Sequence, residues 1–180
     1  MGYIKSALFI SLDGVVEAPN TWHFPYFNDE MGAVVGGLMA GNDAMLIGRR
    51  TYDEFASFWP SADPDDPYTA QMNGTRKYVV STTLTSPEWE NCTVVSGDVR
   101  AELARLKQDN NLGTTGSGIL VRWLLEQGLV DELHLLIHPL VVGKGRKLFD
   151  GEGTQVPLEL RSSATFTTGV IHAVYASPAR

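Results

Sequence analysis

Residues 44–52, which read AMLIGRRTY, contain the change of local structure that decides the fold class. The apolar run Ala44–Ile47 predicts a short buried strand, and Arg49–Phe58 predicts a helix directly behind it. The same order returns later in the chain, because the predicted strand Leu112–Thr115 is followed by a glycine-rich opening and a helix through Gln127. Strands that alternate with helices indicate an α/β domain with a largely parallel sheet.

The rest of the chain extends this alternation and then departs from it. The tail Leu158–Ala176 alternates like an antiparallel hairpin with a turn near Ser162 and Ser163, and Ser61–Tyr68 is typical of a loop. No helix separates the last strands, so we expect them to add antiparallel to one edge of a mixed sheet. No linker or repeat is evident, and we expect one domain over residues 1–180. The other predicted elements are strands at Tyr3–Leu12, Lys77–Ser81, Cys92–Val95 and Asp131–Val142, and helices at Phe27–Leu38 and Val99–Gln108.

Length, composition and charge limit the classes of function. The chain has 180 residues, 43% of them hydrophobic and 19% charged, which suits one folded domain rather than a disordered segment. Its net charge of −7 disfavours nucleic acid and anionic membranes as partners. The apolar runs are too short to span a membrane and the start carries no secretory signal, so we expect a cytoplasmic protein. A single cysteine, Cys92, excludes internal disulfides and cysteine-based zinc sites.

Two of the strand-to-helix passages could bind phosphate. Gly48-Arg49-Arg50-Thr51 would place free amides, two guanidinium groups and a hydroxyl at a helix start. A solvated turn with two surface arginines explains those residues equally well. Gly116-Ser117-Gly118 would let the backbone approach a diphosphate closely. Val121, however, stands where the usual dinucleotide fingerprint has its third glycine, and tight strand-to-helix packing is the alternative.

A third strand end adds hydroxyl groups. Ser81-Thr82-Thr83 follows the predicted strand at Lys77, although a plain polar strand end is the alternative. Because the carboxyl ends of parallel strands share one edge, the three groups together predict a ligand with separated phosphates. NADPH carries a diphosphate and a 2′-phosphate, and an arginine pair suits the latter.

Other segments could contact a substrate. The aromatic cluster Trp22–Phe27 could stack on a flat heteroaromatic ring, or it could be a lid that packs on the core. The basic loop Gly143–Lys147 could hold a substrate phosphate, or it could be a solvated turn. Asp29 and Glu30 could be carboxylates facing a cleft, or they could simply complement the helix dipole.

A metal site is not expected. His134 and His138 lie four residues apart in a predicted strand, which separates them by roughly 13 Å. That is too far to share one ion, so we predict no metal ligands. Cys92 has no obvious histidine partner in the sequence, and nucleophilic hydrolysis receives no support.

In order and spacing, these motifs resemble the dihydrofolate reductase-like superfamily. Within it, the chain is most similar to the RibD C-terminal reductase domain of the bifunctional riboflavin-biosynthesis deaminase–reductase. The resemblance covers nearly the whole chain and implies a three-layer α/β fold. In that fold a central mixed, mostly parallel sheet has helices on both faces and an antiparallel C-terminal hairpin at one edge. It also implies a homodimer. The residues that carry it are Ser11–Gly14, Ile47–Tyr52, Gly116–Gly118, Val130–Glu132, His138-Pro139 and Gly143–Gly145.

The resemblance also implies a cofactor and residue roles. NADPH would be the cofactor, with an arginine on its 2′-phosphate, Thr51 on the diphosphate, and Asp13 and Gly14 in the turn beside the nicotinamide. Asp29 lies near the place of the pterin-binding carboxylate of dihydrofolate reductases and is the candidate catalytic residue. The implied substrate-binding residues are Trp22, Asp13, Lys144 and Arg146. The implied cofactor-binding residues are Gly14, Gly48, Arg49, Arg50, Thr51, Ser81, Thr82, Gly116, Ser117, Gly118, Ile119 and Leu120.

The implied activity is an NADPH-dependent reduction of a pyrimidine- or pterin-like small molecule by hydride transfer from nicotinamide C4. The reaction that the resemblance names is reduction of 5-amino-6-(5-phosphoribosylamino)uracil in riboflavin biosynthesis. Two alternatives stay open. One is a dihydrofolate reductase proper. The other is a non-catalytic nucleotide-binding protein that kept the cofactor site and lost the chemistry.

Overall fold

A computed structural model describes residues 2–151 and 153–178 and contains one eight-stranded sheet. The spatial order of the strands is β4-β3-β2-β5-β1-β6-β8-β7. Neighbouring strands from β4 to β6 pair in parallel, whereas β8 pairs antiparallel with both β6 and β7 at one edge. The mixed, mostly parallel sheet with an antiparallel C-terminal edge is therefore confirmed. The strands are β1 Ile4–Ser11, β2 Ala44–Gly48, β3 Arg76–Val80, β4 Cys92–Val95, β5 Leu112–Thr115, β6 Glu132–His138, β7 Glu159–Thr165 and β8 Ile171–Ala176.

Helices cover both faces of the sheet. The helices are α1 Asp29–Ala40, α2 Arg49–Phe58, α3 Pro67–Gly74, α4 Val99–Asp109 and α5 Gly118–Glu126. In β2, Leu46 packs in the cluster that contains α4 and α5, whereas its neighbour Ile47 packs with α2 and α3 on the opposite face. Successive strand residues point to opposite faces, so this alternation produces the three layers. Met31 of α1 packs on β6 through Leu136. No helix within the described residues is long and apolar enough to cross a membrane.

The helix starts fall into two groups. Asn28 caps α1, Asp66 caps α3 and Asp98 caps α4, each with a side-chain oxygen that accepts a backbone N–H. Among the described residues, no side chain caps α2 or α5, and neither helix has an acidic residue in its first turn. The first amides of these two helices therefore lack both a cap and a neutralising carboxylate.

Three local predictions were wrong. Helix α3, residues 67–74, takes in the last two residues of the segment 61–68 that was assigned to a loop, because Asp66 caps a helix that Pro67 begins. β6 ends at His138, four residues before the predicted end of that strand. The hairpin turn is not at Ser162 and Ser163, which lie within β7 next to a bulge, but between Phe166 and Val170.

One core residue was not expected from the sequence. Lys77 in β3 is fully buried, and its ammonium donates hydrogen bonds to the carbonyl oxygens of Asn73, Thr75 and Glu90. It also lies 4.1 Å from the ring centroid of Trp89. Burial lowers the pKa of this lysine. Lys77 thus ties α3 and the loop before β4 to the sheet.

Candidate functional site

The predicted cofactor residues lie at the carboxyl ends of neighbouring parallel strands. Gly14 follows β1, Gly48 ends β2, Ser81 and Thr82 follow β3, and Gly116 follows β5. These strands are consecutive in the order β3-β2-β5-β1 and run parallel, so their carboxyl ends meet. This is the place where open α/β sheets bind their ligands.

Ser117 joins the starts of α2 and α5. Its Oγ accepts a hydrogen bond from the Gly48 amide at 2.8 Å and donates one to Thr51 Oγ1 at 2.7 Å. Ser117 has left-handed backbone angles, φ 55° and ψ 48°, which are uncommon for a residue with a side chain. Because Thr51 Oγ1 is the acceptor here, its own hydroxyl hydrogen is available to a ligand oxygen.

The same junction is closely packed. A Cβ added to Gly116, whose φ is 66°, would lie 3.5 Å from the Thr51 side chain. A Cβ added to Gly48 would lie 3.4 Å from Ser117 Oγ. Both distances are ordinary van der Waals contacts, so the positive φ of Gly116, rather than a lack of space, is what favours glycine there.

Ser117→Ala is expected to lower the free energy of unfolding by about 2 kcal/mol, since it removes two partly buried hydrogen bonds of about 1 kcal/mol each. Urea denaturation measures the difference. Ser57→Ala is the matched control, because it removes a single exposed hydrogen bond to the Glu54 carbonyl and should change stability by less than about 0.5 kcal/mol. Equal midpoints for Ser117→Ala and the wild type would contradict the role given to Ser117.

The two arginines point in different directions. The Nε of Arg49 donates to both carboxylate oxygens of Asp53 at 2.8 and 3.0 Å, and its Nη1 donates to Thr83 Oγ1 at 3.2 Å. Arg49 therefore lies toward the end of β3. Arg50 instead pairs with Glu54 at 3.3 Å and approaches Glu17, beyond β1, at 3.6 Å.

The hydroxyls after β3 have different environments. Ser81 is buried, and its Oγ accepts hydrogen bonds from the amides of Thr83 and Leu84. Thr82 is exposed. In α5, Ile119 is exposed, whereas the side chain of Leu120 is buried in the core, so only the Leu120 amide could reach a ligand.

Two carboxylates hold the basic loop against the turn after β1. Asp13 accepts hydrogen bonds from Ser11 Oγ and from the amides of Val142 and Gly143, at 2.7 to 3.0 Å. These donors lower the pKa of Asp13 to about 2. The carboxylate predicted to bind substrate is therefore engaged by its own chain.

Glu17 is the second of these carboxylates. It accepts from the Arg146 amide and pairs with the Arg146 guanidinium, both at 3.0 Å. Lys144 is exposed in the same loop. Sequence reasoning missed Glu17, because nothing in its local pattern predicts contacts with residue 146.

The aromatic segment folds onto the sheet between β1 and α1. Trp22 and His23 are buried, and Trp22 Nε1 donates to the Glu17 carbonyl at 3.1 Å. His23 stacks on Phe9 of β1, with ring centroids 4.4 Å apart and an interplanar angle of 12°. His138, the last residue of β6, is fully buried against the same cluster. Burial lowers the pKa of both histidines.

The acidic residues at the start of α1 differ in their contacts. Glu30 accepts hydrogen bonds from Thr167 and Asn28, which lower its pKa. It therefore holds α1 to the turn between β7 and β8. Asp29, the predicted catalytic residue, is exposed in the first turn.

The sequence matches the RibD C-terminal domain family over residues 2–172. It is 29% identical over 177 residues to the uncharacterized protein YyaP of Bacillus subtilis (strain 168), which covers 93% of this chain and 91% of YyaP. The uncharacterized protein YwjB of the same organism is 28% identical over 173 residues, which covers 92% of this chain and 94% of YwjB.

Solved structures share the fold. A protein from Shewanella sp. PV-4 carries the provisional name riboflavin biosynthesis protein. It has a TM-score of 0.78 at 23% identity, over 99% of this chain and 100% of that chain. A pyrimidine reductase-like protein from Corynebacterium diphtheriae has a TM-score of 0.68 at 14% identity, over 99% of this chain and 93% of that chain. A third structure is a Thermotoga maritima diaminohydroxyphosphoribosylaminopyrimidine deaminase/5-amino-6-(5-phosphoribosylamino)uracil reductase. Its TM-score is 0.69 at 14% identity, over 98% of this chain and 57% of that chain. At these identities the likeness establishes the fold, and the match over residues 2–172 establishes the family. The chain belongs to the RibD C-terminal domain family.

Proposed function

We propose that the protein is an NADPH-dependent reductase of a pyrimidine- or pterin-like substrate. The observation that carries the proposal is the junction at Ser117. It joins two helix starts that have neither a side-chain cap nor an acidic first turn among the described residues, at the ligand-binding edge of the sheet. Such a junction suits a diphosphate, because each of two adjacent helix starts offers free amides to an anion.

The residues present fit the parts of NADPH. Gly116, Ser117 and Gly118, with the Thr51 hydroxyl, would hold the diphosphate. Arg49 would hold the 2′-phosphate, because it lies toward β3, where Ser81 and Thr82 would border the adenosine. Gly14 and the exposed Ile119 would lie beside the nicotinamide, which supplies a hydride from C4 when bound.

The substrate would occupy the cleft beside the aromatic segment. Leu12, Phe24, Phe27 and Val141 are exposed in the loops around β1 and β6, and they offer apolar contacts to a flat ring. Lys144 and Arg146 would bind a phosphate on the substrate, with Glu17 and Asp13 fixing their loop. Reduction also consumes a proton, for which Asp29 is the candidate donor.

The named reaction is the reduction of 5-amino-6-(5-phosphoribosylamino)uracil, as in the name of the Thermotoga protein. The rival reductase activity is turnover of dihydrofolate, which Asp29→Asn should abolish. A non-catalytic protein would bind NADPH but would not oxidise it when either 5-amino-6-(5-phosphoribosylamino)uracil or dihydrofolate is added. A homodimer stays a prediction of the resemblance, and a cytoplasmic location stays a prediction from the sequence pattern. The outer edge of β7, whose side chains are all exposed, is where a second copy would pair.

The first experiment is a pair of titrations of the purified protein with NADPH and with NADH. Nicotinamide fluorescence and the thermal midpoint both report binding, because a ligand of the folded state raises its stability. We expect tighter binding of NADPH, followed by its oxidation when the aminouracil ribosyl phosphate is added. Binding of neither cofactor would refute the proposal.

A further inference from the structure

His138 presents a buried nitrogen without a partner. Its side chain is 0% exposed, and its Nδ1 lies 2.8 Å from the carbonyl oxygen of Leu136. Since a carbonyl can only accept, Nδ1 carries the hydrogen of the neutral ring, and Nε2 keeps a free lone pair. Nε2 is buried and has no hydrogen-bond partner among the described residues. A buried acceptor left unpaired is costly, and it marks a place where a donor belongs.

Three aromatic rings pack around the His138 imidazole. Phe9, Trp22 and Tyr26 meet the His138 ring edge to face, with centroids 5.7, 5.1 and 5.6 Å away. Burial among these rings lowers the pKa of His138 and favours its neutral form. The donor that suits Nε2 is therefore a neutral N–H or O–H group on a flat, largely apolar molecule.

His23 lies where such a molecule would stack. Its ring is parallel to Phe9 at 4.4 Å, and Phe24 covers it at 4.2 Å. Its Nδ1 is also buried without a partner among the described residues, although the side chain is 7% exposed. The chain around it consists of two single-turn 3-10 helices, Pro19–Thr21 and Phe24–Tyr26, whose backbone hydrogen bonds all run to residues three or four positions earlier.

We propose that the planar ring of the substrate stacks on the face of Phe9, a position called the seat below. In the free protein the imidazole of His23 fills this seat. When a ligand replaces it, His138 Nε2 accepts a hydrogen bond from a ring N–H of the ligand. The ligand class is a neutral, planar nitrogen heterocycle with at least one lactam N–H. The seat lies on β1 and β6, beside β5, whose following glycines would hold the cofactor. The inference deepens the proposed function but requires no bound cofactor.

The test of His138 is calorimetric titration with uracil and with 1,3-dimethyluracil, which has the same ring without N–H donors. We expect the wild type to prefer uracil by about tenfold or more, because a site built around a buried acceptor rejects a ligand without the donor. This comparison needs no variant. His138→Asn keeps an amide at the position of Nδ1 and loses Nε2, so it should abolish the preference. His138→Gln keeps a polar atom near Nε2 and should retain part of it.

The test of His23 is the His23→Ala variant. It should bind uracil and 1,3-dimethyluracil more tightly by the same factor, about tenfold, because neither ligand must then displace the imidazole. His172→Ala removes an imidazole from β8 that stacks on His134 instead of Phe9, and should change neither affinity. Unchanged affinities in His23→Ala, or binding of neither compound by any form of the protein, would overturn the seat. A preference that survives in His138→Asn would overturn the role of Nε2. The NADPH titration is independent of all these results, so failure of the proposed function can be recognised separately.

Discussion

Arg49→Ala is expected to weaken NADPH binding by about tenfold to a hundredfold while leaving NADH affinity nearly unchanged. Only NADPH carries the 2′-phosphate, and a lost charge-assisted contact costs roughly 1.5–3 kcal/mol. Arg49 is the candidate because it lies toward the end of β3, with Nη1 on Thr83 Oγ1. Asp53 holds its Nε through both carboxylate oxygens, so the guanidinium is already oriented before a ligand arrives.

Arg50→Ala is the matched control for this prediction. Arg50 belongs to the same first turn of α2, but it pairs with Glu54 and Glu17 and so points toward β1. Its removal should reduce the affinity for both cofactors by a similar, smaller factor. Fluorescence titrations of the two variants with each cofactor measure the discrimination. Equal losses of NADPH and NADH affinity in Arg49→Ala would show that Arg49 does not contact the 2′-phosphate.

The folded protein is expected to lose stability steadily as the pH falls below 6.5. The chain has four histidines, at positions 23, 134, 138 and 172, and burial lowers the pKa of every one below 6.5. For His134, burial outweighs the Glu132 carboxylate, whose hydrogen bond acts in the opposite direction. The unfolded chain therefore binds more protons than the folded chain at mildly acid pH.

The sign of the effect follows from this difference in bound protons. The contribution of the histidines is fully present above pH 6.5 and is lost as the pH falls toward their lowered folded-state pKa values. Each histidine can remove at most about 1.4 kcal/mol per pH unit. Urea denaturation at a series of pH values between 7.5 and 5 measures the slope. A free energy of unfolding that is constant over this range would contradict the burial of these rings.

Local signals in the sequence were sufficient for the elements that flank the site. The bounds of α2 were predicted correctly, because Gly48 and Pro60 mark its two ends. The loop assigned to residues 61–68 was drawn two residues too long, because Asp and Pro are typical both of loops and of helix starts. The hairpin turn was misplaced, because β7 is exposed on both faces and its serines look like turn residues.

The candidate site was predictable only where it coincides with a strand end. Gly48–Thr51 and Gly116–Gly118 stand out because glycines and hydroxyls follow apolar runs. The bond from Ser117 to Thr51 crosses 66 positions of sequence, and the bond from Glu17 to Arg146 crosses 129. The environment of His138 at the end of β6 depends on rings from two other segments, β1 and the aromatic segment. No local pattern records such contacts.

The central position of β1 has a consequence for synthesis of the chain. Residues Ile4–Ser11 leave the ribosome before the other strands, yet both of their partners, β5 and β6, begin only at Leu112 and Glu132. At roughly 5–20 residues per second, β1 waits about 5–20 seconds with both edges unpaired. Meanwhile β2, β3 and β4 can already pair with one another. A nascent chain halted before Leu112 would therefore expose an apolar strand, which would make it a substrate for chaperones and prone to aggregate.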